Sequence, residues 1–367
     1  MIIERYIVRQ IVIPMVAICA ILLFIFACYM AARYWSHALS GSLSSSVVTQ
    51  LIFYRSIIAL ELLLPVTLYL SVIIAISRFI RQMELTAMYS CGIGPGRIVK
   101  AILGISLAVA LAVAFISLQI RPMTWEKFFA LKARAKSTFD LSRMNSGIFY
   151  EIWDGKRVIF AEKVSKKKNK AQNVFIRTQG PNMLQIVYAR SAFQISRHVG
   201  GSPVLILENG REYEFAQKGE NDFILDFKRS KMVLEPRQIL PEQKIKSIPS
   251  GVLMKSRDLE SQTELQWRLI MPFSTLFLAL TGIGLALRFT AVRGGKNNAI
   301  VAGVILFACY YNAVALLKRW VSSGTISLIP GLWLGPVVLL MVCFVLFVPE
   351  LRWLTAYWKR VIHNETP

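Results

Sequence analysis

Acidic side chains are scarce in this sequence: 21 Asp and Glu stand against 43 Lys and Arg, leaving a formal charge of +22. A basic excess of that size points to nucleic acid or to an anionic membrane surface. No RNA-binding signature occurs, and no basic helix interleaved with aromatics lies outside the apolar runs. Lipid and the positive-inside bias of membrane proteins are therefore the competing explanations. Cysteine is also sparse. Cys19, Cys28, Cys309 and Cys343 lie in apolar runs and Cys91 in a short segment between two of them, so the polar middle of the chain has none and no disulfide framework is suggested. The three histidines, His37, His198 and His363, are scattered, and no His/Cys spacing suits a metal. No cofactor is expected.

Catalytic signatures are missing too. No G-x-x-x-x-G-K-[ST] is present, since Gly294-Gly-Lys296-Asn lacks both the spacing and the hydroxyl. G-x-S-x-G, H-E-x-x-H and a partnered S-x-x-K are absent. The chain therefore reads as neither an ATPase nor another enzyme. The apolar runs hold almost no ionisable residues, which argues against a proton-coupled carrier. Glu61 is the lone candidate, and its place near the start of the second run reads as interfacial.

What is abundant is apolar length: 55% of the residues are hydrophobic and mean hydropathy is +0.50. A membrane span takes about 20 apolar residues. Six runs qualify: 11–32, 60–76, 101–120, 269–287, 299–317 and 328–348. Pro14 and Pro272 fall early in their runs, where proline costs least, and Pro65 lies inside the second. The first run is too long for a signal-peptide core and ends in Arg33-Tyr-Trp, so it reads as a retained span. Lys and Arg crowd one side of the spans, at Arg5, Arg9, Arg78, Arg81, Arg97, Lys100, Arg288, Arg293, Lys296, Arg352, Lys359 and Arg360. The opposite short loops carry Arg33, Arg55, Lys318 and Arg319. The bias predicts cytoplasmic termini, a cytoplasmic segment around Glu84 and an outside region between the third and fourth spans.

That outside region has a different pattern. After an amphipathic lead-in at Trp125–Lys136, short alternating stretches follow at 147–153, 157–164, 173–178, 183–190, 204–208, 211–215 and 223–233. Asn209-Gly210 between two of them is a hairpin signal, because a type I′ turn needs positive φ at both central residues. The expected fold is an α-helical membrane protein with six transmembrane helices and an inserted antiparallel β domain, sandwich or jelly roll. Its parts are 1–120 (three spans, with a short cytoplasmic helix near 82–91), 121–265 (the β domain) and 266–367 (three spans and the C-terminus). If that domain handles a ligand with acyl chains, Phe149, Ile159, Phe175, Ile186 and Phe223 are candidates to line an apolar groove. An ordinary sandwich core explains each of them as well.

The short helix lies in Arg81-Gln-Met-Glu84-Leu-Thr-Ala-Met-Tyr-Ser-Cys91-Gly92-Ile-Gly-Pro95. Leu85, Met88 and Tyr89 recur at helical spacing, and Gly-Ile-Gly-Pro is a stop signal. Glu84 is the only acid between Glu61 and Glu126. Such a segment is either a plain connection or a docking element for another protein. Arg33, Lys318 and Arg319 close two spans at one leaflet. Snorkelling accounts for each singly, and together they also suit an anionic headgroup.

With Met1-Ile-Ile-Glu-Arg5-Tyr6-Ile-Val-Arg9, Pro65, Glu84-Leu-Thr-Ala-Met-Tyr-Ser-Cys-Gly92 and Leu265-Gln-Trp-Arg268, the chain resembles the LptF/LptG (YjgP/YjgQ) permease family of the lipopolysaccharide exporter. The resemblance covers nearly the whole chain, and its N-terminus and Arg33 register are nearer the LptF branch. It implies a bacterial inner-membrane permease of an ABC transporter with a periplasmic β-jellyroll, serving outer membrane biogenesis. It implies pairing with an LptG-like second permease, an LptB-like ATPase dimer and an LptC-like periplasmic protein, which receives lipopolysaccharide extracted from the membrane. By resemblance Glu84, Leu85 and Met88 belong to a coupling helix seated in the ATPase. Spans one and five form the lateral gate, where Arg33 and Lys318 match positions that contact lipid A phosphates. The chain departs from the family pattern at Met30, Met83 and Tyr89. Two other readings stand beside it: the permease of another ABC lipid exporter, and a membrane scaffold holding a β domain.

Overall fold

The computed structural model describes residues 2–39, 45–137, 144, 146–152, 157–165, 169–180, 183–195, 204–216, 222–233, 245–290 and 298–347. The helices are α1 (Ile2–Leu39), α2 (Ser45–Arg81), α3 (Glu84–Ser90), α4 (Pro95–Phe115), α5 (Arg121–Ser137), α6 (Ser250–Leu253), α7 (Leu259–Thr290), α8 (Asn298–Ser322) and α9 (334–347). A π turn over Ile116–Ile120 joins α4 to α5, and a 3-10 turn at Gly331–Trp333 leads into α9. Among the described residues, five helices are long and apolar enough to cross a membrane, and Gly331–Phe347 is a shorter apolar helix. The predicted runs fall inside these elements, except that the sixth begins in the turn before Gly331 and its residue 348 lies outside the described residues. The molecule is a helical membrane protein with a β domain inserted between its helices.

Two compact units are present. The first draws on Met1–Phe26, Ser56–Glu126 and Lys244–Pro367. Its core is built from α2 and α7, with Leu68, Tyr69, Val72, Ile73 and Phe79 packed among Ile270, Leu278, Ala279 and Ala286. Small residues set the helix distances, because apolar lipid offers helices no hydrophobic reason to associate and packing must supply it. A methyl group on Gly303 would lie 2.6 Å from the Ile73 Cδ1, and the Tyr69 hydroxyl donates to the Gly303 carbonyl at 3.2 Å. The helices α1 and α8 are covered least, with Ile13, Ile21 and Phe24 on α1 and Val301 and Ile305 on α8 exposed.

The second unit draws on Ala27–Arg55 and Lys127–Gln243. It holds one six-stranded antiparallel sheet in plain chain order, β1 (Phe149–Ile152), β2 (Arg157–Ser165), β3 (Lys170–Gln179), β4 (Met183–Ile195), β5 (Val204–Ala216) and β6 (Phe223–Val233). The strands form a single meander, so the described residues contain no second facing sheet. Its buried face carries Ile159, Ala161, Val174, Ile176, Val187, Ala189, Leu205 and Leu207.

The expected hairpin at Asn209-Gly210 does not form. Both residues lie inside β5, with Glu208 opposite Ser191 and Gly210 opposite Ala189 in one continuous register. Asn209 does take positive φ (51°), as does Asn173 (50°) in β3, conformations that asparagine tolerates better than most residues. Ladder pairing lapses along the row Glu162, Asn173, Arg190, Asn209 and Lys228. Across that row the buried positions shift by one: Val174 and Ala171 are three apart, yet both are fully buried. The Asn-Gly signal marks a lapse of ladder pairing inside one strand. Gly210 has a steric reason as well, since a Cβ there would lie 2.5 Å from the Phe227 ring.

Candidate functional site

The densest chemistry lies inside the first unit, where hydropathy alone would not look for it. Asp258 caps α7: its carboxylate accepts from the Ser261 backbone N–H at 3.3 Å, which fixes where the helix starts. One turn on, Glu264 and Arg268 share a face, four residues apart, with Nε and Oε1 3.6 Å from each other. Glu264 also receives Arg121 Nη2 on Oε1 at 2.9 Å and Lys318 Nζ on Oε2 at 2.6 Å. Arg121 turns its other nitrogens to Glu61, Nε to Oε2 at 3.1 Å and Nη1 to Oε1 at 3.2 Å. The Ser117 hydroxyl donates to the same Glu61 oxygen at 2.7 Å. The π turn carries Ser117 and leads straight into Arg121, so both reach one carboxylate; such widened turns recur at functional sites.

Arg268 is fully buried, and its two terminal nitrogens hydrogen-bond to the segment before α7. It donates to the carbonyls of Ile248 (3.0 Å) and Lys246 (3.2 Å) and to the Ser250 hydroxyl (2.9 Å). Ser250 in turn donates to the Leu118 carbonyl at 2.7 Å. The Lys318 ammonium lies 4.5 Å from the centre of the Trp267 ring, a cation–π contact. Gln266 braces the connection after α8, donating to the Leu328 carbonyl at 2.9 Å and accepting from the Leu332 N–H at 3.3 Å. The sequence Glu264-Leu-Gln-Trp-Arg268 is thus one side of an ionic cluster that ties α2, α5, α7 and α8 together.

Glu61, expected at a span end, is 6% exposed and paired, because Arg121 from the far end of the third span comes alongside it. Glu264, Arg268 and Arg121 were missed because they fall just outside the apolar runs, Arg121 after the run that ends at residue 120 and Glu264 and Arg268 before the run that begins at residue 269. An (i, i+4) Glu–Arg pair beside a span was the available signal. Lys318, read as a cation at a span end, sits in this cluster with 24% of its side chain exposed. Its neighbour Arg319 is exposed, and Arg33 on α1 is exposed in the second unit.

The helix α3 forms where the sequence places it. Met83 enters it at φ 58°, and Gly92 leaves it at φ 77°, with the Ile93 N–H on the Met88 carbonyl at 3.0 Å. Leu85 is buried in the chain's own core and Met88 packs against it, so these two anchor α3 rather than face outward. Tyr89 is half-buried, which raises its phenol pKa. Glu84 is half-exposed and accepts from the Tyr6 hydroxyl at 2.9 Å, a partner the sequence did not suggest.

The groove candidates divide between the two faces of the sheet. Phe149 and Phe175 lie in one aromatic row with Phe160 and Tyr188, with the Phe149 and Phe160 rings 4.6 Å apart, and Ile186 shares that face. Ile159 and Phe223 belong to the other face, the first fully buried and the second exposed at the β6 edge. Beyond Tyr188 on the aromatic face, Arg211 and Asp226 pair, and the hydrogen bond from Arg211 holds the Asp226 carboxyl below its ordinary pKa.

The fold and the buried cluster define a multi-span membrane protein whose helix ends are locked by charge and which carries an inserted β domain. Residues 5–348 match the family described as lipopolysaccharide export system permease LptF/LptG, and the chain belongs to that family. It is similar to lipopolysaccharide export system permease protein LptF of Escherichia coli strain K12, at 25% identity over 344 residues covering 93% of this chain and 92% of that protein. The protein of the same description from Shigella flexneri matches to the same extent.

Proposed function

We propose that this chain is one permease subunit of an ABC-type exporter that extracts lipopolysaccharide from the inner membrane and hands it to a periplasmic bridge. The observation that carries this reading is the family match over residues 5–348. An ATPase dimer supplies the energy, a second permease of the same layout completes the membrane part, and an LptC-like protein receives the lipid at the β domain. Both termini are cytoplasmic. Residues 1–120 and 266–367 form the membrane halves, and 121–265 the periplasmic domain.

In this reading α3 is the coupling helix. Leu85 and Met88 hold it to the bundle, which leaves Glu84 to meet a basic residue of the ATPase at a charged hydrogen bond. Removing one partner of such a desolvated pair costs about 2–5 kcal/mol. Arg33, Lys318 and Arg319 contact the phosphates of the lipid. The sparse cover of α1 and α8 supports giving those helices the lipid-facing role. Phe149, Phe175 and Ile186 share one face and form the acyl-chain path, and Ile159 and Phe223 lie outside it.

The test is purification of the chain with a small ATPase and measurement of turnover with and without lipopolysaccharide. Stimulation by that lipid supports the reading, and a chain that binds no ATPase sinks it. Glu84→Ala, expressed without a wild-type copy, is expected to reduce export and ATPase capture while the membrane fold persists; normal export would remove Glu84 from the coupling role.

A further inference from the structure

Among the described residues the five charges of the buried cluster do not balance. Arg121, Arg268 and Lys318 stand against Glu61 and Glu264, one cation in excess, in a site where four of the five side chains are no more than 8% exposed. An unmatched charge away from water is costly, and it is relieved by bringing in an anion or by moving the cation outward. Geometry says which cation is free to exchange. Arg121 bridges both carboxylates, and Arg268 is fixed on two backbone carbonyls and a hydroxyl. Among the described residues Lys318 has one acid, Glu264; it is the member with 24% of its side chain exposed, and it sits on a flexible stem at the end of α8. Its contact with Trp267 is indifferent to which anion it serves, so the ring keeps the ammonium in place during an exchange.

We infer that Glu264 is an internal counter-ion that occupies Lys318 until a phosphomonoester displaces it, the phosphate taking the ammonium while the Glu264 carboxylate keeps its pairing with Arg121 and Arg268. This rests on the reading of Lys318 as a headgroup contact. Two properties follow. Affinity for the phosphate is set below what Lys318 alone would give, because a carboxylate must first be displaced, which favours release of the lipid once it has been drawn in. Binding also removes a direct ionic link between α7 and α8, so headgroup arrival loosens those two helices at this end.

The experiment measures binding of lipopolysaccharide, of the same lipid after dephosphorylation, and of inorganic phosphate to the assembled exporter in nanodiscs. Glu264→Gln is expected to tighten lipopolysaccharide binding by about tenfold, the scale of losing one competing charge partner. It should leave binding of the dephosphorylated lipid unchanged. Glu264→Asp keeps the buried charge while drawing the carboxylate back, so it is the variant to read if the glutamine form does not assemble; it should tighten binding by a smaller factor. In a Lys318→Met background both substitutions should have no effect on affinity. If Lys318→Met weakens binding and neither Glu264 variant tightens it, the counter-ion inference is overturned and the headgroup reading stands. If Lys318→Met changes nothing, the headgroup reading falls and the inference with it. If inorganic phosphate alone shows the tenfold response and lipopolysaccharide does not, the site takes a free anion and the lipid exchange is overturned.

Discussion

Gly210 leaves no room for a side chain. Its ideal Cβ position lies 2.4 Å from the Tyr188 carbonyl oxygen and 2.5 Å from the Phe227 ring, on strands that flank it on both sides. Neither the backbone nor a packed ring moves cheaply, so Gly210→Ala should destabilise the β domain by about 1–3 kcal/mol. Thermal unfolding followed by tryptic cleavage within the sheet measures it. Met83 poses the opposite question. It holds φ 58° with no side-chain cap on α3. A left-handed conformation costs an ordinary L-residue about 1–2 kcal/mol, and more where the side chain is β-branched. Met83→Gly is therefore expected to leave the melting temperature level or higher, and Met83→Val to lower it. A drop with glycine would mean that the Met83 side chain contributes packing that outweighs its backbone strain.

At the scale of elements, α7 carries more of the site than any other helix, and its register depends on where it begins. Asp258 sets that point through Ser261, and truncating an aspartate cap costs about 0.5–2 kcal/mol. Asp258→Ala should lower stability within that range and Asp258→Asn by much less, because the amide oxygen still accepts from the Ser261 N–H. If the two fall equally, the carboxylate charge matters more than the cap. The sheet shows how one element's signal can be misread. Asn-Gly is the commonest hairpin dipeptide because both residues accept positive φ. Here the same tolerance is used at Asn209 and again at Asn173 two strands away, along a row where ladder pairing lapses. No local reading distinguishes these uses, because the second asparagine lies on another strand.

For the whole molecule the ionic cluster is the main departure from an apolar bundle. Buried pairs contribute little net stability as a rule, yet breaking one leaves an uncompensated charge and costs about 3–5 kcal/mol. Arg121→Met should show that cost in full, since both Glu61 and Glu264 lose a partner. Glu61→Gln alone should cost less. The double variant should be more stable than the sum of the two losses predicts, because a neutral amide in place of the Glu61 carboxylate leaves no charge unpaired there. Unfolding of the purified protein in detergent, read as a double-mutant cycle, gives the coupling. Strict additivity would show that Glu61 and Arg121 do not act as a pair.

The sequence by itself determined the apolar runs, the position and both ends of α3, five of the six strand locations to within a few residues, and the alternation of a helical part with a β part. These are local properties: periodicity, charge at run ends, and the conformational habits of glycine and proline. Tertiary structure alone decided that Glu61 is buried, that Glu84 meets Tyr6, that Leu85 faces inward, and that Lys318 shares a carboxylate with two arginines. Each of those depends on a partner far away in the chain, 56 residues for Ser117 and Glu61 and 54 for Lys318 and Glu264. A charge beside an apolar run looks solvated until the fold brings its counter-charge alongside, and only then does burying it cease to leave a charge uncompensated.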